Sequence, residues 1–451
     1  MSLRQRRYGA PVAVLGAGLA GLAAAWELKR SNIPVRVYEA GKRVAGLAAS
    51  HHDDDGFSYD TGAHFITNRL ATALGVNARC RLVEHYGETV WLDGETYDYP
   101  LGLMRVPRFV TSAASARIES VVRASTPHSA AEWFRSTYGE ALADEVALPL
   151  IEAWSGAPAT SLSPAVGEKI PGGIAETVIL KAAARLTHRA VAIGYCRAQP
   201  QSMNVWHVYP EGGVSALCEC LAAELSGDIR LESPVERVVV DDNRAVAVRV
   251  AGRDEPAAAV ISTAPVNALP RLVEGTSALD RFSAFRFRPM IFVNMRFEGR
   301  GILSDVVTWT PGGTFPFFRV TEAPLSMPWL APDGKTMLTV DLGAEVGDAH
   351  WTMSDDSLGA LCLEHLERIV PGLRARYLGC RVLKTPIAYP VFLNAYEDAR
   401  VALESSTGVD GLLSVGRNGE FAHSLMEDVY WRTLSKVRRL AEALLADPMA
   451  S

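Results

Sequence analysis

Gly16, Gly18 and Gly21 interrupt the apolar run "PVAVLGAGLAGLAAAWEL" at G-x-G-x-x-G spacing, and this constrains the chain more than any other feature. Val12 to Leu15 suit a short strand, and Leu19 to Leu28 suit a helix with Lys29 and Arg30 in its last turn. A second strand, Val35 to Tyr38, ends on Glu39, which lies 18 residues after Gly21. Strand, glycine turn, helix, strand and acid in this order predict a βαβ unit that binds a dinucleotide. The first glycine permits the tight turn, the second lets a pyrophosphate approach the backbone, and the third lets helix and strand pack closely. Phosphates would meet the free N–H groups at the helix N-terminus. Glu39 would accept hydrogen bonds from an adenosine ribose, which NAD and FAD share, so the unit alone does not choose between them.

Arg4, Arg6 and Arg7 precede the run, an order that also suits a secretory signal or an anchor. Each glycine would weaken a membrane helix, "AAAW" is a poor cleavage site, and cleavage there would destroy the unit. No glycine-free and charge-free apolar run of about 18 residues occurs, so a spanning helix is not expected. The 451 residues carry a net charge of -6, which gives no basic field for nucleic acid or an anionic membrane. The six cysteines are scattered with no C-x-x-C pair, as expected of reduced thiols in a cytoplasmic protein without zinc or disulfides. His51, His52 and Asp53 to Asp55 read as a solvated turn between two strands, and no metal site is expected.

From about Pro107 to Leu186 the apolar spacing turns helical. Trp133, Phe134, Tyr138, Leu142 and Val146 recur at three- and four-residue steps, as on a core-facing helix. Strands return near Val205, a mixed block follows from about Ala268 to Arg381, and the end reads as a buried strand, a turn at Gly416 and a terminal helix. That helix carries Leu434, Val437, Leu440, Ala441 and Leu444 on one face. The interleaving predicts one nucleotide-binding domain from residues 1–105, 203–270 and 383–451, and a second domain from 106–202 and 271–382.

Several motifs in this order resemble the flavin-containing amine oxidase and protoporphyrinogen oxidase superfamily, nearest its branch with UDP-galactopyranose mutase. They are "VAVLGAGLAGLAAAWEL" with "VYEAGKRVAG", "FSYDTGAHFI", "AWSGAPATSLSP", "YPEGGVSALCECLA", "VISTAP", "FFRVTEAP" with "AYPVF", and "SVGRNGEFAHSLMEDV". The resemblance covers nearly the whole chain. It implies an α/β fold, with a discontinuous Rossmann-like FAD-binding domain and an inserted α+β substrate domain. The cofactor it implies is FAD, and the second glycine-bounded turn at Gly416 gives the flavin end its own cradle. The cofactor residues it implies are Gly16, Gly18, Leu19, Ala20, Gly21, Glu39 and Ala40 in the first unit. Arg43, Gly46 and Leu47 follow along the pyrophosphate and ribityl chain, then Gly62, Ala63 and His64, Val235 at the adenine, and Thr263. Gly416, Arg417, Met426 and Glu427 are expected by the flavin's polar edge.

Three departures stand out. Ala45-Gly46 replaces a glycine pair, which is tolerable if Ala45 has φ below zero. His423 and Glu427 stand where a tyrosine and an aspartate are usual. The tryptophan-glycine and glycine-alanine pattern that brings the amine-oxidase aromatic cage is absent, which argues against a simple amine substrate.

A flavin carries the electron chemistry, so no nucleophile triad or metal cluster is required. His64 is the candidate nearest the isoalloxazine, either stabilising negative charge or relaying a proton; a histidine bonded to backbone without a catalytic part is the alternative. Arg319 is the candidate for gripping an anionic or carbonyl group, against a surface arginine at a strand end. Phe315, Phe317 and Phe318 suit either an apolar pocket or the core. The expected function is an FAD-dependent oxidase or dehydrogenase that removes hydride from a C–N or C–C bond of a small organic metabolite. A mutase-like enzyme acting on a UDP-sugar with reduced FAD, and a non-catalytic binding relative, are the alternatives.

Overall fold

The structure is a computed structural model and describes residues 9–62, 64–122, 126–169, 180 and 188–446. The glycine-rich unit forms as β1 (Val12–Leu15), α1 (Leu19–Arg30) and β2 (Val35–Tyr38). Three later segments complete its sheet: β3 (Ile229–Arg230), β4 (Val260–Ser262) and β5 (Leu412–Ser414). All five strands are parallel, in the order β3-β2-β1-β4-β5. The chain thus returns to one nucleotide-type sheet after two long excursions, the α/β architecture expected.

The small side chains of α1 explain its position. Leu22, Ala23, Ala24, Ala25 and Leu28 are all fully buried, so the helix is enclosed around most of its circumference. Alanines let the sheet, the helix Ser215–Glu224 and the terminal helix α2 (Met426–Ala446) approach closely. From α2, Tyr430, Leu434, Val437 and Ala441 pack into this core, and Arg438 reaches across to Glu27 of α1 at 2.6 Å.

A second, seven-stranded sheet is built largely from the excursions, in the spatial order Tyr377–Pro390, Phe287–Glu298, Lys335–Gly343, Arg319–Thr321, Val307–Trp309, Glu88–Leu92, Glu95–Asp98. The helix Asp355–Leu366 covers it with Leu358, Cys362, Leu363 and Leu366. The expected cuts at residues 105 and 383 divide this sheet. The hairpin Glu88–Asp98 pairs with Val307–Trp309, and the strand Tyr377–Pro390 pairs with Phe287–Glu298. Alternation along a strand says which face is buried but not which sheet the strand joins. Phe315, Phe317 and Phe318 are buried in hydrophobic cores, Phe315 and Phe317 beneath this second sheet.

The "HHDDD" segment is a hairpin between Ser50–His52 and Ser58–Asp60, with Asp53 accepting from the amides of Asp55 and Phe57 and with Arg296 pairing Asp53 and Asp55. Among the described residues no group of three His, Cys, Asp or Glu suits a metal ion, and no helix is long and apolar enough to cross a membrane.

Candidate functional site

The three glycines of the first turn have different neighbours. Gly16 has φ of 99°, and a Cβ there would fall 2.2 Å from Thr263 Oγ1, which donates to the Leu15 carbonyl at 2.7 Å. A Cβ on Gly21 would fall 1.9 Å from the Gly16 carbonyl oxygen. Gly18 differs: the nearest atom to its Cβ would be the Ala45 carbonyl oxygen, at 3.7 Å. The protein's own packing therefore requires two of the glycines, and the third faces open space. That space adjoins the amides of Leu19, Ala20 and Gly21, which precede the first helical bond, from Leu22 N–H to the Gly18 carbonyl at 3.0 Å. No side chain caps this helix end and no acid lies in its first turn, so it fits a phosphate.

Glu39 fastens the tip of β2 to the turn. Its Oε2 accepts from the Ala17 amide and its Oε1 from the Gly41 amide, both at 2.7 Å. Each oxygen retains a lone pair for a ribose hydroxyl. Arg43, Gly46 and Leu47 are exposed beside the turn, where Gly18 and Ala45 form a bridge. Ala45 does not meet the condition for easy tolerance: its φ is 94°. Its amide donates to the Ala17 carbonyl at 2.9 Å, a tie that fixes the backbone in a region an alanine adopts only with strain. Ala45→Gly should therefore raise stability by about 1 kcal/mol, read as a higher midpoint in denaturant. A lower midpoint would mean that the buried methyl outweighs the strain.

A cleft of about 420 Å3 opens beside this turn. Of the expected residues it is lined by Gly16, Glu39, Ala40, Val235 and Thr263. Tyr38, Arg237 and Arg271 also line it and were not anticipated. Arg237 had no readable signal, because the i, i+2 rule that would set it on the face of Val235 fails where the two pair with adjacent residues, Val250 and Arg249. An irregularity between Val235 and Arg237 re-aims this stretch. Arg271 comes from a short helix, Leu269–Leu272, and had no signal either.

The second glycine turn abuts the first: Gly416 has φ of 83°, and a Cβ on it would lie 2.8 Å from the Ala20 methyl. Glu420, held by Arg432 and Lys436, also accepts from the Gly416 amide at 3.3 Å. Gly62, with φ of 92°, lies against the Phe292 ring; Ala63 lies outside the described residues. His64 keeps 22% of its side chain accessible although it sits deep in the protein. Burial pushes its imidazole below its usual pKa. Arg417 and Arg319 push the same way, and Asp60 and the Gly62 carbonyl oppose them.

Arg319 is not a surface residue. Its Nη2 pairs with the fully buried Asp341, and its guanidinium lies 5.5 Å from the Trp309 ring centroid. Burial alone would lower its pKa, but Asp341, Tyr389 and Tyr86 raise it on balance. Arg417 stacks 4.7 Å from the Tyr389 ring centroid, and burial lowers its pKa, assisted by Arg319. Among the described residues Arg417 forms no ion pair with a carboxylate, and both it and Arg319 act electrostatically on His64, so the two guanidinium groups outnumber the one carboxylate, Asp341, that pairs with Arg319. The Glu427 side chain is taken up by protein partners. Its carboxylate accepts from Thr67 Oγ1 at 2.7 Å and Trp431 Nε1 at 3.1 Å and pairs with Arg69. Only its backbone, with that of Met426 in the first turn of α2, is left to meet a ligand. The terminal motif could not reveal this, since Arg69 lies 358 residues away.

A model of flavin containing amine oxidoreductases matches residues 19–430. The chain is 24% identical to phytoene desaturase (lycopene-forming) from Pseudescherichia vulneris, over 87% of this chain and 88% of the relative. Among solved structures, reduced UDP-galactopyranose mutase superposes with a TM-score of 0.78 at 17% identity, covering 98% of this chain and 96% of that one. Cyclohexylamine oxidase from Brevibacterium oxydans superposes with a TM-score of 0.72 at 16% identity, covering 97% and 99%.

Proposed function

The chain belongs to the flavin containing amine oxidoreductase family, and from that premise we propose that it is an FAD-dependent oxidoreductase removing hydride from a C–N or C–C bond of a small organic molecule. The FAD supplies the hydride acceptor. The observation that carries the reading is the open face of Gly18 beside the free helix amides, together with the two buried arginines Arg319 and Arg417 acting on His64. In this reading the first turn holds the pyrophosphate, Glu39 the ribose, and the cleft along Val235 the adenine. The turns at Gly62 and Gly416 and the start of α2 hold the flavin end.

Two buried guanidinium groups, of which only Arg319 has a carboxylate partner among the described residues, favour negative charge where it develops and disfavour a bound ammonium group. The substrate in this reading is therefore uncharged or anionic. The likeness to a phytoene desaturase supports oxidation of a C–C bond. The two arginines also suit an anionic UDP-sugar, and the mutase-like alternative rests on them.

The purified protein is expected to be yellow and to release FAD on denaturation. Anaerobically, its substrate should bleach the oxidised flavin, and oxygen or another acceptor should restore the colour. A panel of neutral, anionic and amine metabolites with UDP-sugars included tests this. Turnover of UDP-sugars alone, and only after dithionite reduction, would replace the redox assignment with the mutase reading.

A further inference from the structure

Behind His64 lies a buried carboxylate with no assigned task. Asp60, 6% exposed, ends the strand Ser58–Asp60. Its Oδ1 accepts from Ser50 Oγ at 2.6 Å and its Oδ2 from the Tyr209 hydroxyl at 2.5 Å. Ser50 and Asp60 are paired across the hairpin, and Ser50 Oγ accepts in turn from the Ser215 amide at 3.1 Å. Gly213 completes the enclosure, since a Cβ there would fall 2.3 Å from Ser50 Oγ. Asp60 is thus fixed by strands and a turn from three parts of the chain.

Both donors to the carboxylate are neutral, and a buried carboxylate without a counter-charge is costly. Two histidines feel this carboxylate, His51 on the paired strand and His64, and of the two it is His64 that has Nδ1 3.8 Å from Asp60 Oδ2, buried and without a hydrogen-bond partner. A ring movement of about 1 Å brings them to hydrogen-bond distance. The charged groups acting on the ring from other elements are Arg417, after β5, and Arg319, on the second sheet, and both oppose a charged imidazole. Asp60 is the one carboxylate acting in its favour.

We infer that Asp60 is a positioning residue for His64: it accepts a hydrogen bond from Nδ1–H, fixes that tautomer, presents Nε2 to the cofactor side, and eases proton uptake by the ring when negative charge develops beside it. The inference rests on the proposal that His64 adjoins the flavin. In a triad the same division of labour orients an imidazole through a buried carboxylate.

The test is the midpoint potential of the FAD-loaded protein in four forms: parent, Asp60→Asn, His64→Gln and the double variant. Loss of a positioned, chargeable imidazole should make reduction harder. Asp60→Asn is expected to lower the reduced-to-oxidised ratio at a fixed potential about tenfold, which is about 30 mV for a two-electron couple. In the His64→Gln background the same change should produce no further fall, because a pair acting as one unit is non-additive. An equal fall in both backgrounds, or none in the parent, overturns the inference. If His64→Gln alone leaves the potential in place, the placement of His64 beside the flavin is wrong and the inference falls with it. Should Asp60→Asn not retain FAD, Tyr209→Phe, which frees one of the two bonds holding the carboxylate, should give a smaller fall that also disappears with His64→Gln. A fall of equal size in both backgrounds overturns the inference here too.

Discussion

Gly21→Ala is expected to cost the protein about 3 kcal/mol or more of stability, whereas Gly18→Val should leave a folded protein that cannot hold FAD. The new methyl at position 21 would sit 1.9 Å from a backbone carbonyl oxygen. That oxygen belongs to Gly16, in the turn between β1 and α1, so relief requires the helix to lift off the strand. Helix α1 is buried by the sheet on one side and α2 on another, and it has nowhere to go without opening both contacts. Overpacking of this kind costs 1–3 kcal/mol, and more where the backbone itself must move. At position 18 the nearest atom is 3.7 Å away, so the protein accepts the first methyl. A valine's branches enter the space beside the Leu19, Ala20 and Gly21 amides, which the pyrophosphate needs. A hundredfold loss of FAD affinity, about 2.7 kcal/mol, is the expected result. Thermal melts of the FAD-free proteins and FAD titration of each separate the two effects. Both variants melting alike and binding FAD alike would mean that the turn has been misread.

The difference between these glycines marks how far the sequence could be read. The spacing located the βαβ unit to the residue, because turn chemistry, helix length and strand alternation are local properties. It also located the second turn at Gly416, although the contact of that turn with Ala20 belongs to the folded protein. Features set by register were not legible. Arg319 and Asp341 face each other because the strands Arg319–Thr321 and Lys335–Gly343 are antiparallel in one particular register, and nothing in "FFRVTEAP" points to "TVDLG". The same holds for Asp60 and Tyr209, 149 residues apart. The left-handed conformation of Ala45 accompanies a hydrogen bond to Ala17, 28 residues away, which no composition rule contains. Arg319 was expected either to grip substrate or to be exposed; the structure excludes exposure, and its buried carboxylate partner is visible only once the sheet is assembled.

Glu322 is the residue whose loss should most disturb that sheet. It follows the strand that carries Arg319, is fully buried, and accepts four hydrogen bonds. Oε1 accepts from the Gly301 amide at 2.8 Å and from Thr336 Oγ1 at 2.9 Å, and Oε2 from the Ile302 and Leu303 amides, both at 2.8 Å. The carboxylate thereby closes the turn after the strand Phe287–Glu298 onto the start of the strand Lys335–Gly343. Glu322→Ala would leave three backbone donors and a hydroxyl without an acceptor in a dry interior. Each unsatisfied donor costs about 1–3 kcal/mol, so a total loss of roughly 3–5 kcal/mol is expected after partial relaxation. Glu322→Gln should lose less, since its carbonyl oxygen can serve two donors and Thr336 can turn its hydroxyl to accept from the amide nitrogen. Denaturant unfolding of parent, Gln and Ala variants should therefore give midpoints that fall in that order. Because the anchor lies three residues from Arg319, the Ala variant should also hold that guanidinium less firmly, and flavin absorbance should change even where FAD content does not. Midpoints equal to the parent's in both variants would show that the turn finds other acceptors and that the carboxylate is not what secures this corner of the sheet.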